Sequence, residues 1–434
     1  MNTKVLWHSL PERHNSPAKV TVIGAGIAAW NIARALRKRA IACEIIAPFD
    51  PQTASRTHRN TALAGASGNP QAVVMPVLTA RRSPEEDLLV RCFDYARRHY
   101  PATAWHGTGV LRHTGGAMNW QKGIEKRLSA TVGDQTFPVP VRVEALPDGV
   151  FFPDAGWLQT EVLNQTFPLE ALPWITAQVA TIRQDPSQAD HWLLLDQSGQ
   201  TLCRTPAVVV ASGIGLAGLR LQWTDAFGQR QDQGLAQPWR ISARHGQVSF
   251  VRLKEHALSP HVVIGTGYLT PPIDGVCSLG ATFDHLPEKQ WQQPARLSEA
   301  HFARNLALWR ETPWWESLRT ATVTGGRAGI RASTPDHLPL AGPIIDRAHF
   351  QRHYADLHHG RYWQEYPPAR PLPGLFVLGG LGSRGFTTAP WLAEQVVRQL
   401  CGEAIKGDDL AMLKSVHPNR FLFRQMQRPP QDCP

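Results

Sequence analysis

Apolar and polar positions run along the chain in two rhythms, and the change from one to the other marks its elements. Residues 20–23 form an apolar run of strand length, followed by glycines and then by a helical period. Ala29, Ile32, Ala33 and Leu36 recur at i, i+3, i+4 and i+7 and share one face of a helix. A second apolar run follows at 43–47, so residues 19–47 read as strand, glycine turn, helix, strand. The same reading puts helices near 84–100, from about 159, and near 298–311. It puts buried strands at 207–211 and 375–378, the latter followed by a glycine loop and a closing helix. Between 102 and 150, and again between 240 and 284, short apolar runs broken by turns predict strands of a second domain.

The first turn carries chemistry. Gly24, Gly26 and Ala29 occupy the positions of G-x-G-x-x-G/A between a strand and a helix. The first glycine permits the tight turn, the second lets backbone approach a pyrophosphate, and the small third residue lets the helix lie close to the strand. Phosphates would then rest on unpaired N–H groups at the helix N-terminus. The acid expected to hold a ribose is missing at Ala47; Asp50 stands three residues on, as readily a solvated turn residue as a ribose contact. A second glycine segment, Gly379 to Gly385, again precedes a helix. FAD, long and extended, contacts both ends of a chain in this way, whereas NAD needs no second glycine loop.

Composition narrows the picture modestly. The 434 residues are 42% hydrophobic and 18% charged, an ordinary globular balance with length for two or three domains. No run of 18 apolar residues suggests a membrane span, and the first twenty residues lack the apolar stretch of a signal peptide. The six cysteines are scattered without a C-x-x-C pair, which points to a reducing cytoplasm and away from a structural zinc site; no metal is expected. The net charge of +10 attracts polyanions, although solubility alone accounts for it equally well.

The segments "VIGAGIA", "GASGNPQ", "DAGWL", "HGQVS", "GYLTP", "GIRASTPDHLPLAG", "LGGLGSRGFTTAPWLAE" and "HPNR" follow one another from about residue 20 to 420. In them the chain resembles the D-amino-acid oxidase and glycine oxidase superfamily of FAD enzymes. More closely, it is similar to the FAD-dependent C-terminal domain of the MnmC family, which modifies the wobble uridine of some tRNAs. It departs in having Ala72 where that family has glycine, in about ten extra residues around "QTASRTHRNT", and in lacking the preceding methyltransferase domain.

The resemblance implies an α/β fold: a discontinuous Rossmann-type, glutathione-reductase-like FAD-binding domain with an inserted α+β substrate domain on a mixed or antiparallel sheet. After a leader at 1–17, the FAD-binding domain is expected at 18–85, 150–240 and 320–434, and the substrate domain at 86–149 and 241–319. It implies non-covalent FAD, since the C-terminal glycine loop holds no cysteine. Beside Gly24, Gly26 and Ala29, the cofactor would be held by Ala66, Ser67, Gly68, Asn69, Gly213, Gly382, Ser383, Arg384 and Gly385.

Arg331 would bind a substrate carboxylate, with Tyr268 and Asp336 as further substrate contacts and no acid or base assigned. The implied reaction removes the carboxymethyl arm of 5-carboxymethylaminomethyl-uridine in tRNA as glyoxylate, with O2 as electron acceptor and a separate methyltransferase as a possible successor. An oxidase of free glycine, sarcosine or a D-amino acid is the alternative. The basic tail "HPNRFLFRQMQRPP" is open to two readings, RNA contact or a packed C-terminal extension.

Overall fold

The computed structural model describes residues 16–49, 63, 65–113, 118–129, 141–254, 259–360, 364–405 and 407–429. Most of the leader, Asp50, the "QTASRTHRNT" insertion and Cys433 lie outside these.

The expected strand–helix–strand unit forms as Lys19–Ile23, Ile27–Arg37 and Ala42–Ala47. Ala29, Ile32, Ala33 and Leu36 are all buried. These strands belong to a six-stranded sheet in the order 340–345, 371–379, 208–210, 19–23, 42–47, 174–176. All pairs are parallel except the first, where Leu340–Ile345 returns against Pro371–Gly379. Helices pack on one face of this sheet and a separate five-stranded sheet on the other, so the strands are buried on both faces and read as continuous apolar runs; Val208, Val209 and Val210 are fully buried. The helix Ile27–Arg37 packs on the closing helix Gly385–Leu400. Arg39 then fixes the two ends of the chain together, its guanidinium reaching Glu394 at 2.7 Å and also Glu403.

The second domain is built on a nine-stranded sheet. Its longest pair, Ser242–Arg252 and Thr322–Ser333, runs antiparallel with Arg244 opposite Arg331. Val251, Val263, Leu269, Leu279 and Trp309 form its core.

Three features depart from the sequence reading. Residues 320–434 were expected in the FAD-binding domain, yet Thr322–Ser333 pairs along its whole length with Ser242–Arg252 and so belongs to the second sheet. The helix Pro84–His99, expected in the substrate domain, packs instead on the closing helix and shares the core of Ile27–Arg37. Met118–Ser129 is a helix where strands were expected. It is held by polar anchoring as much as by an apolar stripe: Ile124 is buried and Arg127 forks onto the buried Glu86 at 2.7 Å. A separate five-stranded sheet, 201–205, 192–195, 181–184, 220–224 and 230–234, gave no distinct sequence signal. Among the described residues no helix is long and apolar enough to cross a membrane.

Candidate functional site

A cavity of about 850 Å³ opens where the parallel strands end, at the upper part of the ~300–1,000 Å³ range of ligand sites. The residues just beyond four of these strands line it: Gly24 to Ala28, Pro48 and Phe49, Ala211 to Gly215, and Gly380 to Thr387. In open α/β sheets this carboxyl edge is where ligands bind. The opposite wall comes from the second sheet and from the 65–69 turn: Arg331, Tyr268, Phe283, Ala66, Ser67 and Asn69.

The wall nearest the glycine turn suits an anion. Gly24 has φ +114°, and a Cβ there would sit 2.5 Å from the Ala211 carbonyl oxygen, so the turn closes only around glycine. Gly26 caps Ile27–Arg37 with no side-chain cap, leaving first-turn N–H groups for a ligand. One is already used: the Ile27 N–H donates to Ser67 Oγ at 3.0 Å. The closing helix starts beside it, since a Cβ on Gly385 would lie 3.2 Å from Ile27 Cγ2. Two positive helix ends therefore meet at one wall of the cavity.

The C-terminal loop is fixed to the second sheet by the Gly382 N–H, which donates to the Ala332 carbonyl at 2.9 Å. Gly213 and Ser383 also line the cavity, and Arg384 is exposed beside them. Ala29 and Gly68 do not line it. Ala29 is fully buried in the helix–sheet packing. Gly68 leaves room for Arg327, whose guanidinium would meet a Cβ at 2.2 Å and whose Nη1 donates to the Gly65 carbonyl at 2.7 Å.

At the other wall, Arg331 projects from Thr322–Ser333. Gly246 on the paired strand makes room for it: a Cβ there would lie 2.3 Å from Arg331 Nη1. The guanidinium lies 5.8 Å from the Phe283 ring centre, and Nη1 donates a long bond, 3.4 Å, to the Thr282 carbonyl. Among the described residues no carboxylate pairs with it. Burial pushes its pKa down, as expected for a cation whose compensating charge is not supplied by the protein. Burial also raises the Tyr268 hydroxyl to about 12, against the opposing pull of Arg331, so it stays protonated at neutral pH.

Sequence reasoning missed the support behind these groups. Gln71 is buried; its Oε1 accepts from Thr270 Oγ1 at 2.7 Å and Ser278 Oγ at 2.8 Å, while its Nε2 donates to the Pro271 carbonyl at 2.7 Å. It thereby fastens the 65–71 segment to the strands carrying Tyr268. Arg112 also lines the cavity. Gln71 closes the segment "GASGNPQ", but its role depends on Thr270, Pro271 and Ser278, about two hundred positions on, which no local pattern shows.

Asp336, expected at the substrate, is not on the wall of this cavity. Its carboxylate takes a two-pronged bond from the buried Arg420, both contacts 2.9 Å, and another from Arg424 at 2.6 Å. Burial alone would raise its pKa; the two guanidiniums outweigh it and hold the group at about 2. "DHLP" and "HPNR" are thus two halves of one buried ion pair. The metal-type trio His245, Asp284 and His301 brings ligand atoms within 4.8 Å, but both Asp284 oxygens already accept from Arg304 at 3.0 Å.

A Rossmann-type sheet with a glycine-lined anion site, facing a second sheet across a long cavity, defines a flavin-dependent oxidoreductase architecture. Residues 19–399 match the family described as DAO, FAD dependent oxidoreductase, and the chain belongs to that family. Its cofactor is FAD. The chain is 29% identical over 97% of its length to the tRNA 5-methylaminomethyl-2-thiouridine biosynthesis bifunctional protein MnmC of Pseudomonas putida KT2440. It is 28% identical over 99% of its length to that of Pseudoalteromonas atlantica. It spans 62% of the length of each of these relatives. Among solved structures, glycine oxidase from Geobacillus kaustophilus superposes with a TM-score of 0.65 at 19% identity, covering 93% of this chain and 99% of that one. Amadoriase I from Aspergillus fumigatus gives 0.64 at 12% identity, covering 96% and 92%.

Proposed function

We propose that this chain oxidises the carboxymethylaminomethyl arm of a wobble uridine in tRNA. The observation that carries the reading is Arg331, a cation on the cavity wall with no carboxylate paired to it among the described residues. Its planar fork suits both oxygens of a carboxylate, and the arm uracil–CH2–NH–CH2–COO⁻ ends in one. The tRNA-modifying relatives named above support the choice of substrate.

FAD would lie along the cavity. Gly24 and Gly26 would hold its phosphates, Gly213 its nucleotide half, and Ala66, Ser67 and Asn69 the edge of its ring, with Gly68 serving by leaving room for Arg327. Gly382, Ser383, Arg384 and Gly385 would stand at the pyrimidine end, and Ala29 serves by packing. When bound, FAD supplies a hydride acceptor. Arg331 would hold the arm with the carbon beside the carboxylate exposed to that acceptor. Tyr268, kept protonated, would offer a hydrogen bond on the same wall. Loss of hydride from that carbon gives a C=N bond. Water then adds and cleaves it, leaving aminomethyl-uridine and glyoxylate. O2 would recover the electrons as hydrogen peroxide, and a separate methyltransferase would act afterwards.

The test is glyoxylate release from tRNA bearing the arm, in wild type and Arg331→Ala. Wild-type release that the variant loses while keeping its yellow colour supports the reading. No release by the wild type overturns it.

A further inference from the structure

We propose that a second cleft, beside the helix Arg420–Met426, seats the phosphodiester backbone of the RNA whose modified base would enter the main cavity; the inference rests on the tRNA reading above. The cleft measures about 900 Å³, and Arg240, Arg424, Arg428 and His358 stand on its walls. The three arginines are exposed and His358 is half-buried. The single carboxylate on those walls, Asp336, is spent on Arg420, which is 1% exposed, and on Arg424. Arg240 and Arg428 form no ion pair with any described residue. The cleft therefore presents a net positive field to solvent.

The surroundings favour a nucleic acid over an acidic protein. Phe421, on the cleft wall, lies under the Arg420 guanidinium at 4.3 Å and near Arg424 at 5.7 Å. His353, two residues before the wall residue Ala355, stacks on Phe227 at 5.9 Å. Phe227 is 38% exposed and has Arg352 over its ring at 4.2 Å. Exposed aromatic faces interleaved with guanidiniums are what unpaired bases stack on, while the arginines track the backbone. An acidic peptide would use the charge and leave the rings idle.

The cleft is also within reach of the cavity. Pro335, on its wall, follows Arg331 by four residues, so their Cα atoms are at most about 14 Å apart. A gap of that size is spanned by a few nucleotides of one RNA strand. One RNA could place a base at Arg331 and a neighbouring stretch of backbone in the cleft. A free amino acid would use no such surface.

The experiment measures binding of fluorescein-labelled unmodified tRNA to the full-length FAD-loaded protein by anisotropy over a KCl series. Wild type is compared with Arg240→Gln/Arg428→Gln and, as a second perturbation, Arg428→Glu alone. Each arginine that neutralises a phosphate contributes about 0.7–0.9 to the slope of log affinity against log salt. The double variant should lose roughly 1.5 of that slope and bind about tenfold more weakly at low salt, with an unchanged melting temperature. Arg428→Glu should weaken binding in the same direction. A wild type that binds tRNA, with both variants matching it, overturns the cleft proposal and leaves the tRNA reading standing. A wild type with no salt-dependent tRNA binding overturns both. Polyglutamate of matched charge displacing the tRNA as well as RNA does would overturn the assignment to nucleic acid in favour of an acidic protein.

Discussion

At the scale of single residues, the account turns on how Arg331 is held. A charge-assisted hydrogen bond contributes about 1.5–3 kcal/mol, roughly 10- to 100-fold in affinity. Arg331→Ala should raise KM for the modified tRNA by about that factor while the flavin content is unchanged. Arg331→Lys should recover only part of the loss, because an ammonium cannot fork onto two oxygens. Steady-state kinetics with flavin absorbance as the loading control checks both. Gly246→Ala tests positioning without touching the charge: its methyl group would meet Arg331 Nη1 at 2.3 Å. It should cost activity comparably to Arg331→Lys and leave flavin binding intact; unaltered kinetics would mean the guanidinium can move aside harmlessly. Arg331 was legible in the sequence only through the family resemblance. The need for glycine at 246 was not legible, because it arises from a cross-strand pairing between residues 85 positions apart.

At the scale of elements, two joints carry the site. The first is the βα turn. Gly24→Ala would require φ +114° of a residue with a side chain and press it against the Ala211 carbonyl at 2.5 Å. The purified variant should be colourless or substoichiometric in FAD; full yellow loading would show that the turn tolerates more than the geometry allows. The second joint is Asp336 with Arg420, tying the loop after the Arg331 strand to the last helix.

Asp336 is held at about 2, below its ordinary value of about 3.9. Its contribution, about 2 kcal/mol, is complete above pH 4 and is lost as pH falls from there through 2. Asp336→Ala would leave a buried guanidinium unpaired, at a cost of about 3–5 kcal/mol. A lower melting temperature at pH 7, with a smaller difference from wild type near pH 2, is the expected result.

The regular elements of the nucleotide-binding half were legible because each is a long apolar run or a clean helical stripe. The domain borders were not. Residues 322–333 are rich in glycine and lack a continuous apolar run, and only pairing with Ser242–Arg252 makes them a strand. Met118–Ser129 hid for the complementary reason, being polar and anchored by Arg127 on Glu86.

At the scale of the whole molecule, one cavity runs from two helix N-termini to Arg331, and the chain carries a net charge of +10. The first end and the fold belong to the FAD-dependent oxidoreductase family; the second end and the charge are what the proposed function adds. The most direct test is anaerobic. The oxidised yellow protein is mixed with tRNA bearing the carboxymethylaminomethyl group, with free glycine and sarcosine run in parallel, and the visible flavin absorbance is followed. The account predicts bleaching by the tRNA at low concentration and little by the free amino acids. Bleaching by glycine or sarcosine alone would contradict it and make the chain a small-molecule amine oxidase.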